Sequence, residues 1–302
     1  MPLYEFELVK RETLILFSET TDPYYQNGIR WLIGIDEVTR GRLNEARNLA
    51  RELMQVGQSL DDPRSIGLSL LLLSMIALAS GSYADALEYS EQSLSVAITP
   101  NEQINASGGR AWALVALGRI EEGARVLEEF RSHCYANGHV YALNGSEVAL
   151  GICKIFQGRI ANGLHVLEKA ISNGEKYGFK IWADAHRLVL AEVYLQIIAG
   201  GDLNAKVPLA TLLRNLPVLL NVMLTARSRI RALISRVLEN SHFDPAGVHV
   251  GHAKMILGLL YKSKKKRALA VQHLSEAKCI LSQFGQTPIL ARVDTALAEL
   301  KQ

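Results

Sequence analysis

Apolar residues recur at helical spacing along nearly the whole chain, in paired segments with a glycine between the members of each pair. Four stretches align on that glycine: GRLNEARNLARELM from Gly41, GSYADALEYSEQSL from Gly81, GRIEEGARVLEEF from Gly118 and GRIANGLHVLEKAI from Gly158. Two residues after the glycine stands Leu43, Tyr83, Ile120 or Ile160. Three further on comes a small residue, Ala46, Ala86, Gly123 or Gly163. The glycines are 40, 37 and 40 residues apart. A helix closed by a glycine in the left-handed conformation, followed by a helix whose small residue admits a close neighbour, explains the pattern. Apolar positions behind it, such as Val126, Leu127 and Phe130, supply the buried stripe.

The segments ahead of each glycine, 28–39, 66–80, 106–117 and 145–157, are predicted to be the partner helices. A fifth unit is expected with its first helix over 182–199 and its turn at Gly200 and Gly201. The rhythm then breaks. Pro208 and Pro217 predict a short helix over 209–215 and a separate longer one over 217–239. A sixth unit, MILGLLYKSKKKRALAVQHLSEAKCIL, places Leu257, Gly258 and Tyr261 in its first helix and Ala270, Leu274 and Ala277 in its second, where the tetratricopeptide consensus has them. Residues 288–300 read as a capping helix. Residues 6–16 carry the weakest helical signal. The expected fold is all-α: a right-handed superhelix of stacked helical hairpins, a tetratricopeptide-like solenoid with repeats of about 40 residues. Its parts are an N-terminal segment (1–27), repeats (28–201), an irregular helical insertion (202–241), and a last repeat with its cap (242–302).

Composition narrows the function classes. Hydrophobic residues at 49% and charged residues at 21% exclude wholesale disorder. The net charge of +3 demands neither nucleic acid nor an acidic membrane. Cys134, Cys153 and Cys279 are odd in number and widely spaced, as expected of reduced thiols in a cytoplasmic protein. The start of the chain shows no basic region followed by an apolar stretch, so no leader is expected. The longest apolar run, LSLLLLSMIALA (68–79), is about 12 residues, short of a membrane span, and no membrane partner is expected. Phosphate-loop, dinucleotide, nucleophile-elbow and His-Glu-x-x-His motifs are missing, so neither catalysis nor a cofactor is expected.

Three constellations merit weighing. His242, His249 and His252 could hold a metal with Asp244. The favoured reading is a connection capped by Asp244, with Pro245 in the first turn of the next helix. Lys262, Lys264, Lys265, Lys266 and Arg267 could grip phosphate, nucleic acid or an acidic peptide. The favoured reading is a solvated turn, because the whole chain carries no supporting basic field. The repeat alignment places Trp31, Ile35, Leu71, Met75, Trp112, Val115, Ile152, Phe156 and Met255 along the first helices, where such arrays present a groove. That lining is apolar and aromatic. Either it packs on itself, which is favoured, or it receives an apolar partner.

Several segments resemble the helical-repeat tails of bacterial, notably rhizobial, class III adenylate/guanylate cyclase-type regulators. They include DDPRSIGLSLLLLSMIALASGSYADALEYSEQSLSVA (61–97), SRIRALISRVLEN (228–240) and FDPAGVHVGHAKMILGLLYKSKKKRALAVQHLSEAK (243–278). The resemblance implies a regulatory tail that elsewhere accompanies a cyclase domain and a signal-transduction ATPase. Neither the paired metal-binding aspartates of the one nor the phosphate loop of the other is present, so no catalytic residue carries over. The expectation is a non-catalytic protein-interaction module, a scaffold or regulatory arm in signalling. Its partner would be a protein, nucleic acid is not expected, and a homodimer is compatible. The alternative is a sensor with an apolar groove for a small molecule.

Overall fold

The computed structural model describes residues 22–199, 209–240, 244–285 and 287–301, together with 12, 15, 19 and 20. The expected turn at Gly200 and Gly201, Pro208, His242 and most of 6–16 lie outside the described residues. Among those described there is no strand. The chain forms two compact units, Met1–Ala142 and Leu143–Gln302.

In the first unit, α1 (Pro23–Thr39), α3 (Pro63–Ser80) and α5 (Pro100–Ala116) alternate with α2 (Leu43–Leu60), α4 (Tyr83–Val96) and α6 (Ile120–Asn137). Each of the odd-numbered helices starts the same way. Asp22, Asp62 or Thr99 caps the first turn through its side chain, and a proline occupies the first helical position. The cap satisfies amide donors that have no helical acceptor, and proline has no such donor to lose. At Thr99 the cap is reciprocal, because the Glu102 carboxylate accepts the Thr99 N–H at 3.0 Å. Each hairpin turn is closed by a glycine with φ near +80°: Gly41 at 82°, Gly81 at 82° and Gly118 at 76°.

The close approach expected at the small residues is present. Ala46 and Ala86 have no exposed surface. A Cβ at Gly123 would stand 2.8 Å from Val115 Cγ2. Ser69 and Ser74 on α3 exploit this proximity, donating buried hydrogen bonds to the carbonyls of Ala50 (2.6 Å) and Ala86 (2.8 Å) on the helices either side. α3 packs on α1, α2, α4 and α5. Leu68, Leu72 and Ile76 close with Ala46, Ala50 and Leu53 into a core cluster of the unit. By length and composition α3 is apolar enough to cross a membrane, beyond what the 12-residue run suggested, and 44% of it is buried inside this unit. A helix flanked on so many sides needs apolar residues nearly all round.

The second unit holds α7 (Val140–Phe156), which begins just before its boundary, α8 (Ile160–Lys176), α9 (Lys180–Ala199), α10 (Leu209–Glu239), α11 (Val248–Ser263), α12 (Arg267–Leu281) and α13 (Pro288–Lys301). The expected interruption at Pro217 does not occur: α10 runs 31 residues with the proline inside it. A proline in a helix interior costs about 3 kcal/mol, and anchors on both sides offset that cost here. Before it, Asn215 Nδ2 donates to the Gly158 carbonyl at 2.8 Å. After it, Val222, Ala226, Ile230 and Ile234 are buried at four-residue spacing. Polar ties bind α10 to α8 and α9. Arg229 reaches Glu168 Oε1 at 3.0 Å and the Tyr194 hydroxyl at 2.9 Å, and Arg236 reaches Glu175 at 3.1 Å. Beneath them the buried Arg187 guanidinium bridges Asp184 and Glu175, and Asn240 also donates to Asp184.

The connection ahead of α11 also differs from expectation. Asp244 accepts the Ala246 N–H at 2.9 Å within a turn, and the N-cap is Gly247, so Pro245 stays outside the helix. At the α11–α12 turn the left-handed position is taken by Lys265, with φ 56°, where earlier hairpins have glycine.

Glycine packing makes a paired prediction. A Cβ on Gly163 would lie 2.6 Å from the Gly151 carbonyl oxygen and 3.0 Å from the Ile155 nitrogen, both backbone, whereas one on Gly145 meets nothing within 4 Å. Gly163→Ala should lower stability by about 1–3 kcal/mol. Gly145→Ala should be neutral or stabilising by up to about 1 kcal/mol. Urea denaturation midpoints of the two variants check this.

Candidate functional site

The side where α1, α3 and α5 adjoin carries a cleft of about 520 Å³, its open mouth included. Trp31 and Leu71 form its apolar wall, together with Gly28, Gly67 and Leu68. Trp31 Nε1 is buried and has no hydrogen-bond partner among the described residues. Beside the apolar and aromatic residues, Arg64, Asn101, Glu102 and Asn105 also line the cleft. Arg64 stacks over the Tyr24 ring at 3.6 Å and stands 3.8 Å from Glu102. Neither asparagine side chain is engaged in a hydrogen bond among the described residues. A carboxamide donates and accepts at once, matching the two polar groups of a peptide unit.

The other residues expected in a groove fall in different places. Ile35, Met75 and Trp112 are half-buried, and they share helix faces with Trp31, Leu71 and Asn105 by their spacing of four or seven residues. Val115 turns toward α6, where it packs over Gly123. Met255 is fully buried in the core of the second unit and has no surface for a partner. Ile152 and the exposed Phe156 line a separate cleft in that unit, with Val189, Val193, Gln196 and Glu192.

Glu192 joins three helices. Its Oε1 lies 3.1 Å from His252 Nε2 on α11 and 2.5 Å from Arg292 Nη1 on α13. Burial alone would raise the pKa of this carboxyl, but His252 and Arg292 more than reverse the effect and hold it at about 2. His252 is thus turned toward the Glu192 carboxylate, and no group of three or more His, Cys, Asp or Glu side chains stands ready for a metal among the described residues. Deeper in the unit, burial pushes His186 down to about 4. The basic run forms the turn between α11 and α12. Lys262 pairs with Glu299 on α13, while Lys264, Lys265, Lys266 and Arg267 make no ion pair among the described residues.

No family model matches the sequence. No curated protein aligns with it significantly. Solved structures similar in fold include two whose descriptions bear on this chain. One is a Rap protein complexed with Competence and Sporulation Factor: TM-score 0.59, 13% identity, covering 100% of this chain and 81% of that one. The other is the apo form of RapI: TM-score 0.50, 12% identity, covering 91% of this chain and 97% of that one. At such identities the likeness is one of fold, an all-helical array of repeated hairpins.

Acid should destabilise the second unit in two windows. His186 is held neutral, so the unfolded chain takes up its proton first. Its contribution is complete above pH 6.5 and lost as pH falls toward 4, about 3 kcal/mol in all. Glu192 is held charged, so its contribution is complete above the ordinary value of 4.5 and lost as pH falls toward 2. Urea midpoints measured across pH should flatten between 6.5 and 4 in His186→Phe, and below 4.5 in Glu192→Gln.

Proposed function

We propose that this chain is a non-catalytic interaction module of helical-repeat type, and that the cleft of its first unit receives a segment of a protein partner. The supporting observation is the cleft's chemistry: an indole with an unanswered N–H, two uncommitted carboxamides, and an Arg64–Glu102 pair around an apolar floor. Apolar walls with a few convergent polar groups suit a peptide, which needs side-chain burial and backbone hydrogen bonds together. A rigid helical scaffold loses little freedom on binding, which favours affinity. That a Rap protein of similar fold is described in complex with Competence and Sporulation Factor lends support by analogy of fold. The regulatory role in bacterial signalling, as a scaffold or arm like the tails of class III cyclase regulators, rests on the sequence segments that resemble them.

A random peptide library displayed on phage and panned against the purified chain tests this reading. Recovered peptides, synthesised with a fluorophore, should lose about tenfold or more in affinity, about 1.4 kcal/mol, for Trp31→Ala and for Asn105→Ala. Peptides that bind both variants as they bind wild type would place recognition elsewhere and reject the cleft.

A further inference from the structure

The outward face of α10 carries a second surface, unrelated to the cleft. Leu216, Leu220, Met223 and Leu224 are exposed by 46%, 53%, 59% and 84%. Their spacing of three and four residues sets them in one stripe. Arg227 and Arg231 continue that stripe at four-residue intervals, so the face is apolar over its first half and cationic over its second. From Leu216 to Arg231 it measures about 22 Å at the rise of an α-helix.

The cationic half is larger than α10 alone provides. Lys264, at the C-terminal end of α11, is depressed below the ordinary lysine range by desolvation and then by Arg231, Arg227 and Lys266. Every charged group acting on it is a cation. Arg229 and Arg236 of α10 are answered by Glu168 and Glu175, whereas Arg227, Arg231, Lys264, Lys265 and Lys266 have no acidic partner among the described residues. These five exceed the net charge of the whole chain, +3, so the remainder is slightly acidic. Positive charge is therefore concentrated at one place, although the total conceals it.

We infer that this face docks an amphipathic helix of a protein partner, apolar over one half of its contact stripe and acidic over the other. The lengthwise division selects this occupant. A helix that lies in a bilayer surface separates its charges around the circumference, so that cations stay at headgroup level while apolar side chains enter. Here Arg227 and Arg231 share the leucines' own face, and insertion would carry them to the same depth. A partner helix laid along α10 meets leucine with apolar side chains and arginine with carboxylates in a single contact.

The probes are two synthetic fluorescent helical peptides, with leucines at three- and four-residue spacing in one half and glutamates continuing that stripe in the N-terminal or the C-terminal half. Counterparts carry lysine in place of glutamate. One glutamate peptide should bind the full chain, and its affinity should fall about tenfold or more in Leu224→Glu and in Arg231→Glu, while Trp31→Ala leaves it unchanged. The double variant Arg231→Glu/Lys264→Glu should lose the glutamate peptide and gain the lysine one. Both positions on α10 are exposed, so these changes leave the fold intact. Equal binding of glutamate and lysine peptides, or no binding of either glutamate peptide, would overturn the inference. So would capture of vesicles with about one-third phosphatidylglycerol that survives Leu224→Glu.

Discussion

Paired helices approach one another over side chains no larger than a methyl group, and the rest of the architecture depends on that contact. Ala86 brings the α3–α4 hairpin close enough for Ser74 to reach its carbonyl, and Ser69 reaches from α3 to the Ala50 carbonyl of the preceding hairpin. In the second unit Gly163 brings the α8 backbone against Gly151 and Ile155 of α7. Once the hairpins are this tight, their apolar stripes are committed to each other. What is left to face outward along α1, α3 and α5 is a narrow strip, and the cleft is cut from it.

The hairpins were legible because their determinants are local. A left-handed glycine, a small residue five positions on and an apolar stripe all fall within about four helical turns, and each acts through its nearest neighbours. α10 was misread for the opposite reason. The proline penalty is local, but the contacts that outweigh it are not: Asn215 is anchored to Gly158, 57 residues away. The cleft was half legible. Trp31 and Leu71 follow from the repeat register, while Asn101 and Asn105 stand in the polar stretch that opens α5. Their four-residue spacing is the signal that could have placed them on one face. Met255 shows the limit of register alone, since alignment places it on a first helix without saying what covers that helix.

Charge tells a similar story at the scale of the chain. A total of +3 reads as neutral, yet carboxylates are spent on particular arginines, such as Glu168 on Arg229 and Glu192 on Arg292. Which cations remain unanswered depends on how α8, α9, α10, α11 and α13 meet. The two surfaces therefore differ in kind. The cleft offers hydrogen-bonding groups within a small enclosure, and the α10 face offers a field along an open ridge.

Lys265 carries one further consequence. A left-handed backbone costs a non-glycine residue on the order of 1 kcal/mol, and Gly41, Gly81 and Gly118 avoid that cost at the equivalent corner. Relaxing this corner with glycine would also delete a cation from the cluster formed with Arg227, Arg231, Lys264 and Lys266. Backbone conformation and surface charge thus make opposite demands on the same residue.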